Sequence, residues 1–293
     1  GKLVEHVQPI IHSLPSAFTD AERQMAIDVI KRHADIFSKH DFDLGRTNLM
    51  THRIDVGNSE PVAQPLRSHP RAYLDLIDQT VDRMLQVGVL EPSQSPWQSN
   101  IVLVSKKDGS LPRATVDFRW LNERTKKMKF ALPKTSDCLR ALGDSLYWSI
   151  CDVTNSFFQV GLHEDDRDVT AFVTRKGQFR FTTMPQGGVN SPAAFAKLMS
   201  LLTRGLSYIY CVCFVDDFVV CGRSFDEHVS HLETIFDRVR QARIKLKPTK
   251  CKLFQLKIRF VGHLISAQGI EPDPRKVACI LDWKFPTTLT ELR

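Results

Sequence analysis

No apolar run in this chain approaches the ~18–20 residues of a membrane-crossing helix, which excludes a helical membrane protein. The opening GKLVEHVQPI lacks the apolar core of a signal peptide. Internal repeats and low-complexity tracts are missing too, so solenoids and disordered linkers drop out. Disulfide-scaffold spacing is absent: the seven cysteines are odd in number and irregularly placed. Reduced thiols in an intracellular compartment are the simpler expectation. Cys211 and Cys213, with His228 and His231 downstream, make a poor zinc set. Cys-x-Cys spacing is unusual for structural zinc, and both thiols sit in an apolar strand, where free cysteine packs as a small hydrophobe.

What is present is an ordinary globular composition. The 293 residues, 42% hydrophobic and 25% charged, suffice for one large domain or two modest ones with a full core. A net charge of +7 leans toward a polyanionic partner, although charge alone suits a basic protein without a nucleic-acid role equally well.

Along the chain, FTDAERQMAIDVIKRHADIFSK opens with Thr19 and Glu22 spaced as a capping box and continues with apolar residues at helical period. A second helix is expected from Pro70 to Val87, stopping at Gly88. NIVLVSKKDGSLPRATVDF reads as a hairpin turning at Asp108-Gly109, and VTAFVTRKGQFRFTTM as another, closed at Lys176-Gly177. SPAAFAKLMSLLTRGL is a helix with Ser191 as its cap and Pro192 at the first helical position. SFDEHVSHLETIFDRVRQARI puts Val229, Leu232, Ile235, Phe236 and Val239 on one stripe. LFQLKIRFVGHLISAQGI returns to strand pattern. Hairpins rather than regular βαβ alternation argue for an α+β fold, an antiparallel sheet with helices on one face. The terminal PTTLTELR looks like the start of another helix, which suggests a piece of a larger polypeptide.

The run YCVCFVDDFVVC sets two adjacent carboxylates, Asp216 and Asp217, inside an apolar stretch. Burying such a pair is costly unless it is solvated at a turn, paired with a base or neutralised by a cation. Neighbouring strand side chains point to opposite faces, so both converge on one ligand only at a hairpin tip. Asp152, closing the apolar WSICDV, is the best candidate for a third acid. Three convergent carboxylates need divalent cations between them, and hard oxygen donors favour Mg²⁺ or Mn²⁺. Two such ions about 4 Å apart can hold the attacking and leaving oxygens of a phosphoryl displacement. A solvated turn in which one aspartate caps a strand end is the plainer alternative for the pair by itself.

The company of the pair decides otherwise. LEPSQSPWQSNIVLVSKKDGSLPRATVDFRWLN, SICDVTNSFFQVGL, FRFTTMPQGGVNSPAAF, YCVCFVDDFVVCGRSFDEHVSHLETIF, IKLKPTKC and RFVGHLISAQGIEPDPRKVACILDWKFPTTLTELR follow one another in this order. With these blocks the chain resembles the reverse transcriptases of gypsy-type long-terminal-repeat retrotransposons from about Pro61 to Arg293. The resemblance implies a right-hand polymerase of α+β class, its antiparallel palm sheet backed by helices. Residues 1–60 would be a helical linker after a protease region, 61–150 mainly fingers, 151–265 mainly palm, and 266–293 the start of a truncated thumb or connection.

It further implies an RNA-directed DNA polymerase that adds dNTPs to a primer on an RNA or DNA template. The thumb, connection and RNase H domains of the polyprotein lie elsewhere. The alternative is a catalytically silent or domesticated nucleic-acid-binding remnant. The catalytic acids map to Asp152, Asp216 and Asp217, holding two Mg²⁺ or Mn²⁺ ions with the Val153 carbonyl as an added ligand. Lys106 and Arg113 would face the triphosphate, Phe157 would block a ribose 2′-hydroxyl, and Gln186 would contact the sugar or base. Lys250 takes the place of a general acid toward pyrophosphate, and Phe260, Gly262 and His263 that of a primer grip. Tyrosine at the sugar gate and phenylalanine in place of Gln186 are commoner in gypsy-type elements, so both positions depart from that pattern. Location would be cytoplasmic, in a virus-like particle, with a nuclear phase and no membrane. Val215 before the acids and the bulky Phe157 both speak against an RNA-templated RNA polymerase.

Overall fold

Thr19 and Glu22 close the box their spacing predicts: Thr19 Oγ1 accepts from the Glu22 amide at 3.2 Å, and the Glu22 carboxylate accepts from the Thr19 amide at 2.9 Å. The structure, a computed structural model, describes residues 2–105, 111–131, 133–214, 217–275 and 278. Lys106, the Asp108-Gly109 turn, Asp216 and the helix expected in PTTLTELR lie outside the described residues, and of Asp217 the backbone alone is described.

The first helices are α1 (Gln8–His12) and α2 (Asp20–Arg32), followed by the short β1 (Thr51–His52). Then come α3 (Arg71–Gln86), β2 (Leu90–Pro92), β3 (Ser99–Val104), β4 (Arg113–Val116), α4 (Arg119–Arg124), α5 (Thr135–Gly143) and β5 (Tyr147–Cys151). The chain continues through β6 (Gly161–Leu162), β7 (Phe172–Thr174), β8 (Gly177–Phe181), α6 (Ser191–Leu202), β9 (Cys211–Phe214) and β10 (Asp217–Gly222). It closes with α7 (Phe225–Gln241), β11 (Lys252–Gln255), β12 (Lys257–Phe260), β13 (His263–Ser266) and β14 (Gly269–Pro272).

Two sheets carry the architecture. One is five-stranded in the order β2-β8-β7-β3-β4, with β3 and β7 parallel and the other neighbours antiparallel. Ile77 and Val81 of α3 pack on it against Leu90, Ile101, Phe172 and Phe181. The β7–β8 loop is Arg175-Lys176, one residue earlier than the spacing predicts, because Gly177 at φ +127° opens β8 opposite Thr174. Arg175 pairs with Asp75 and Asp78 of α3, pinning that tip to the helix.

The other sheet is fully antiparallel, ordered β11-β5-β10-β9. Its strands are apolar on both sides, so both faces are covered. Phe218, Val220, Cys211 and Cys151 face one core with α6 and α7; Val219, Cys221, Val212 and Trp148 face another with α5, β12 and β13. Helices therefore back the sheet as expected, while α5 and the β12–β13 hairpin occupy the face that pattern alone left open. The connectivity interleaves the sheets, since β5 lies between strands that the five-stranded sheet claims before and after it.

Residues before 60 are built in. Ile10, Val29, Ile30, Ile36 and Phe37 are buried in the same core as α7. Asp35 accepts from Arg240 at 2.7 Å through both oxygens. At α6 the cap position is Asn190, not Ser191: its side chain instead bonds Lys126 and Met128 of a neighbouring loop, and Ser191 Oγ donates to the Pro185 carbonyl.

Candidate active site at the acidic strand ends

The antiparallel register decides where the acids meet. Cys151 of β5 faces Phe218 of β10, and Asp217 faces Phe214 of β9. The β5–β10 ladder ends at the Cys151–Phe218 pair, so Asp152 and residue 217 are the next residues beyond its last rung. Asp152 and the β9–β10 turn thus share one end of the sheet. Val215 and Asp216, which complete that turn in sequence, lie outside the described residues.

A strap from Lys245 to Cys251 holds Asp152 from the side. The Lys247 amide donates to the Asp152 carbonyl at 2.8 Å and the Thr154 amide to the Lys245 carbonyl at 3.0 Å. These bonds bracket the Val153–Leu246 pair, which exchanges none of its own, so the ladder leaves the Val153 carbonyl unused. Lys250 Nζ stands 3.5 Å from Asp152 Oδ2, an ion pair in which the lysine is more than half exposed. Lys247 pairs with Asp41 at 2.8 Å, and this lysine holds the Asp41 carboxyl below the ordinary range.

Beyond Asp152 the chain turns sharply. Asn155 adopts a left-handed conformation, φ 39°, ψ 57°, at the entry to the single turn Ser156–Gln159. Left-handed backbone is tolerated by asparagine better than by most residues. The turn leaves Phe157 half-buried, its ring edge-on to Phe195 of α6 with centroids 6.1 Å apart, while Phe158 enters the other core. Gln159 is wholly buried and bonds four backbone groups: its amide donates to the Thr154 and Lys245 carbonyls, and its carbonyl accepts from the Gly45 and Lys245 amides. The sequence gives no sign of this hub, because a glutamine eight residues after a strand reads as surface.

Gln186 is half-buried in a small cleft with Thr115 and Val116 of β4 and Phe158. That places it beside the strand pair bearing Arg113, which is exposed opposite Val104. Asn122 fixes the loop after Gln186, donating to the Gly187 carbonyl at 2.9 Å and accepting from the Val189 amide at 2.8 Å. Nearby, the buried Asp117 accepts two bonds from Arg119, which lowers its carboxyl pKa. Asn122 and Asp117 both lie in the quoted DFRWLN, where their roles show only once the two segments meet.

The Phe260–His263 segment splits by function. Phe260 is buried under β9, edge-on to Phe214, and anchors the hairpin. Val261 and Gly262, at φ 45° and 75°, form the two-residue connection between paired Phe260 and His263. His263 is half-buried, its Nδ1 3.0 Å from the Val261 carbonyl. A branched residue at positive φ is strained, so tertiary packing holds this turn. A cavity of about 700 Å³ lies at the opposite end of β10 among Arg140, Tyr208, Gly222 and His231, and none of the expected site residues line it.

The family model described as reverse transcriptase (RNA-dependent DNA polymerase) matches residues 104–265. The Retrovirus-related Pol polyprotein from transposon 412 of Drosophila melanogaster is 29% identical over 94% of this chain and 23% of its own length. The corresponding polyprotein from transposon gypsy of the same organism is 26% identical over 94% of the chain and 27% of its length. The chain thus spans about a quarter of these relatives. In fold it matches a foamy viral protease-reverse transcriptase solved with double-stranded DNA, at TM-score 0.87 and 23% identity, over 100% of this chain and 51% of that one. The same viral protein with an RNA/DNA hybrid gives TM-score 0.85 and 23% identity, over 100% and 39%.

Proposed function

The chain belongs to the reverse transcriptase family, and from that membership and the acidic strand ends we propose that it is the fingers and palm of a retroelement polymerase, adding dNTPs to a primer 3′-hydroxyl on an RNA or DNA template. The observation that supports the reading is the β5–β10 register, whose last rung is Cys151–Phe218, so that Asp152 and residue 217 follow at one end of the sheet, with Lys250 3.5 Å from the Asp152 carboxylate. Asp152, Asp216, Asp217 and the Val153 carbonyl offer only hard oxygen donors, a set that fits Mg²⁺ or Mn²⁺. Two bound ions would lower the pKa of the 3′-hydroxyl and stabilise charge on the α-phosphate.

The chain's own residues do the rest. Lys250 is placed to pass a proton to departing pyrophosphate. Phe157, edge-on to Phe195, would use its ring to block a ribose 2′-hydroxyl. Arg113 offers a permanently charged fork to phosphate oxygens, Lys106 a second cation, and Gln186 a side chain for the sugar or base. Gly262 in the hairpin turn and His263 beside it would form the surface on which a primer end rests. By the same reading, template and primer lie across the end of the four-stranded sheet that bears Asp152.

Primer extension with Mg²⁺ or Mn²⁺ on poly(rA) and on a heteropolymeric template tests this, on the chain and on a longer polyprotein containing it. Extension should appear in the wild type and vanish in Asp216→Asn, with primer-template affinity retained. Wild-type binding without extension in either form would instead identify a silent nucleic-acid-binding remnant.

A further inference from the structure

Six free cysteines lie among the described residues, all buried but the half-buried Cys213. Two of them are cross-strand neighbours. Lys252 of β11 faces Ile150 of β5 at the end of that ladder, and Cys251 and Cys151 are the residues next in line beyond this pair. Directly opposed residues keep their Cα atoms ~4.5–5.5 Å apart, inside the ~4.4–6.8 Å range a disulfide accepts. Both residues are buried in the same core cluster. Cys251 Sγ also lies 3.5 Å from the Asp152 amide nitrogen and 3.9 Å from its carbonyl oxygen. Cys213 is no rival partner: it and Cys151 flank Phe218 from opposite sides, two strand spacings or ~9–10 Å apart.

We propose that Cys151 and Cys251 form a reversible disulfide that deforms the seat of Asp152 when oxidised and releases it when reduced. Cys151 immediately precedes Asp152, and Cys251 immediately follows Lys250. Drawing the two sulfurs to a bond of ~2.05 Å pulls on both partners of the Asp152–Lys250 pair. Misplacement on the order of 1 Å at a reacting centre can cost ~10²-fold in rate.

The two cysteines are 1% and 2% exposed, so the oxidant must be small and neutral, and hydrogen peroxide is of that class. One sulfur, losing its proton, attacks a peroxide oxygen; the O–O bond breaks and a sulfenic acid and water result. The second sulfur then attacks the sulfenic sulfur, the S–S bond forms, and the hydroxyl leaves as water with the remaining thiol proton. Two electrons pass from the sulfurs to one peroxide, giving one disulfide and two waters. A dithiol reverses the reaction by exchange.

The loss of activity rests on the polymerase reading; the bond itself does not. The test treats the chain with hydrogen peroxide, maps its peptides without reduction, and follows primer extension before and after dithiothreitol. Expected are a linked peptide pair joining Cys151 to Cys251 and a ~10–100-fold fall in extension that dithiothreitol restores. Cys151→Ala and Cys251→Ala should each keep their extension under the same peroxide. No linked pair, or a linked pair with undiminished extension, overturns the proposal. Should the reduced wild type extend no primer either as this chain or within the longer polyprotein, the polymerase reading fails instead, and the peptide map alone decides the pair.

Discussion

His228 and His52 are both nearly inaccessible, and burial drives their pKa values to about 3 and about 4. His228 Nε2 lies 2.7 Å from Ser149 Oγ, which accepts from the Phe254 amide, so the neutral ring is built into the sheet–helix seam. Both native values lie below the unfolded value of about 6.5. As pH falls through 6.5 the unfolded chain takes up protons that the native histidines refuse. Their contribution is therefore complete above pH 6.5 and shrinks toward pH 4, at up to about 1.4 kcal/mol per pH unit for each. Urea unfolding at pH 7, 6 and 5 should show stability falling with acidity, and His228→Phe should make that fall about half as steep; an unchanged slope would contradict the assignment. Phe157 carries the other residue-scale expectation. Phe157→Val should admit ribonucleotides, read as the ratio of rNTP to dNTP incorporation, and an unchanged ratio would remove the ring from sugar selection. Asp152 stood out in the sequence by its place at the end of an apolar strand, and Phe157 through the family resemblance alone. His228 did not, because a histidine within an amphipathic helix reads as surface until its neighbours are known.

At the scale of elements, β10 and α7 meet so closely that one side chain is forbidden between them. A Cβ at Gly222 would lie 2.8 Å from the amide nitrogen, Cα and Cβ of His228. Backbone cannot yield as a flexible side chain can, so Gly222→Ala should cost about 1–3 kcal/mol, seen as a lowered thermal midpoint. Helices α2, α3 and α7 were legible because caps and apolar period agree over more than ten residues. The strand pairings within VTAFVTRKGQFRF and YCVCFVDDFVV were legible too, through turn residues between apolar runs. The cap of α6 was not. Asn190 lies where Ser191 was expected because the Asn190 side chain is committed to the distant Lys126–Met128 loop and Ser191 Oγ to the Pro185 carbonyl just before the helix. The parallel β3–β7 pairing was equally hidden, since Ser99 and Phe172 have nothing local to connect them.

For the whole molecule, the first forty residues behave as part of the core that backs the acid-bearing sheet. Val7, Ile10, Ala26, Val29 and Ile30 are fully buried, and Phe37 nearly so. Deleting residues 2–38 would expose that apolar surface and strand Arg240 without Asp35. The truncated chain should therefore lose soluble yield or its cooperative thermal transition; a folded, cooperative product would show instead that the segment is dispensable. By itself the sequence determined the secondary structure of its long periodic segments, the α+β class, and the acids on which the proposed chemistry rests. Those are local properties, set by period, turn chemistry and residue type over a few neighbours. Tertiary structure alone decided the strand order, the burial of the N-terminal segment, the Gln159 hub and the strap that places Lys250 and Cys251 beside Asp152. Each of these depends on partners up to a hundred or more residues apart, and such contacts arise when apolar faces find one another rather than from any pattern along the chain.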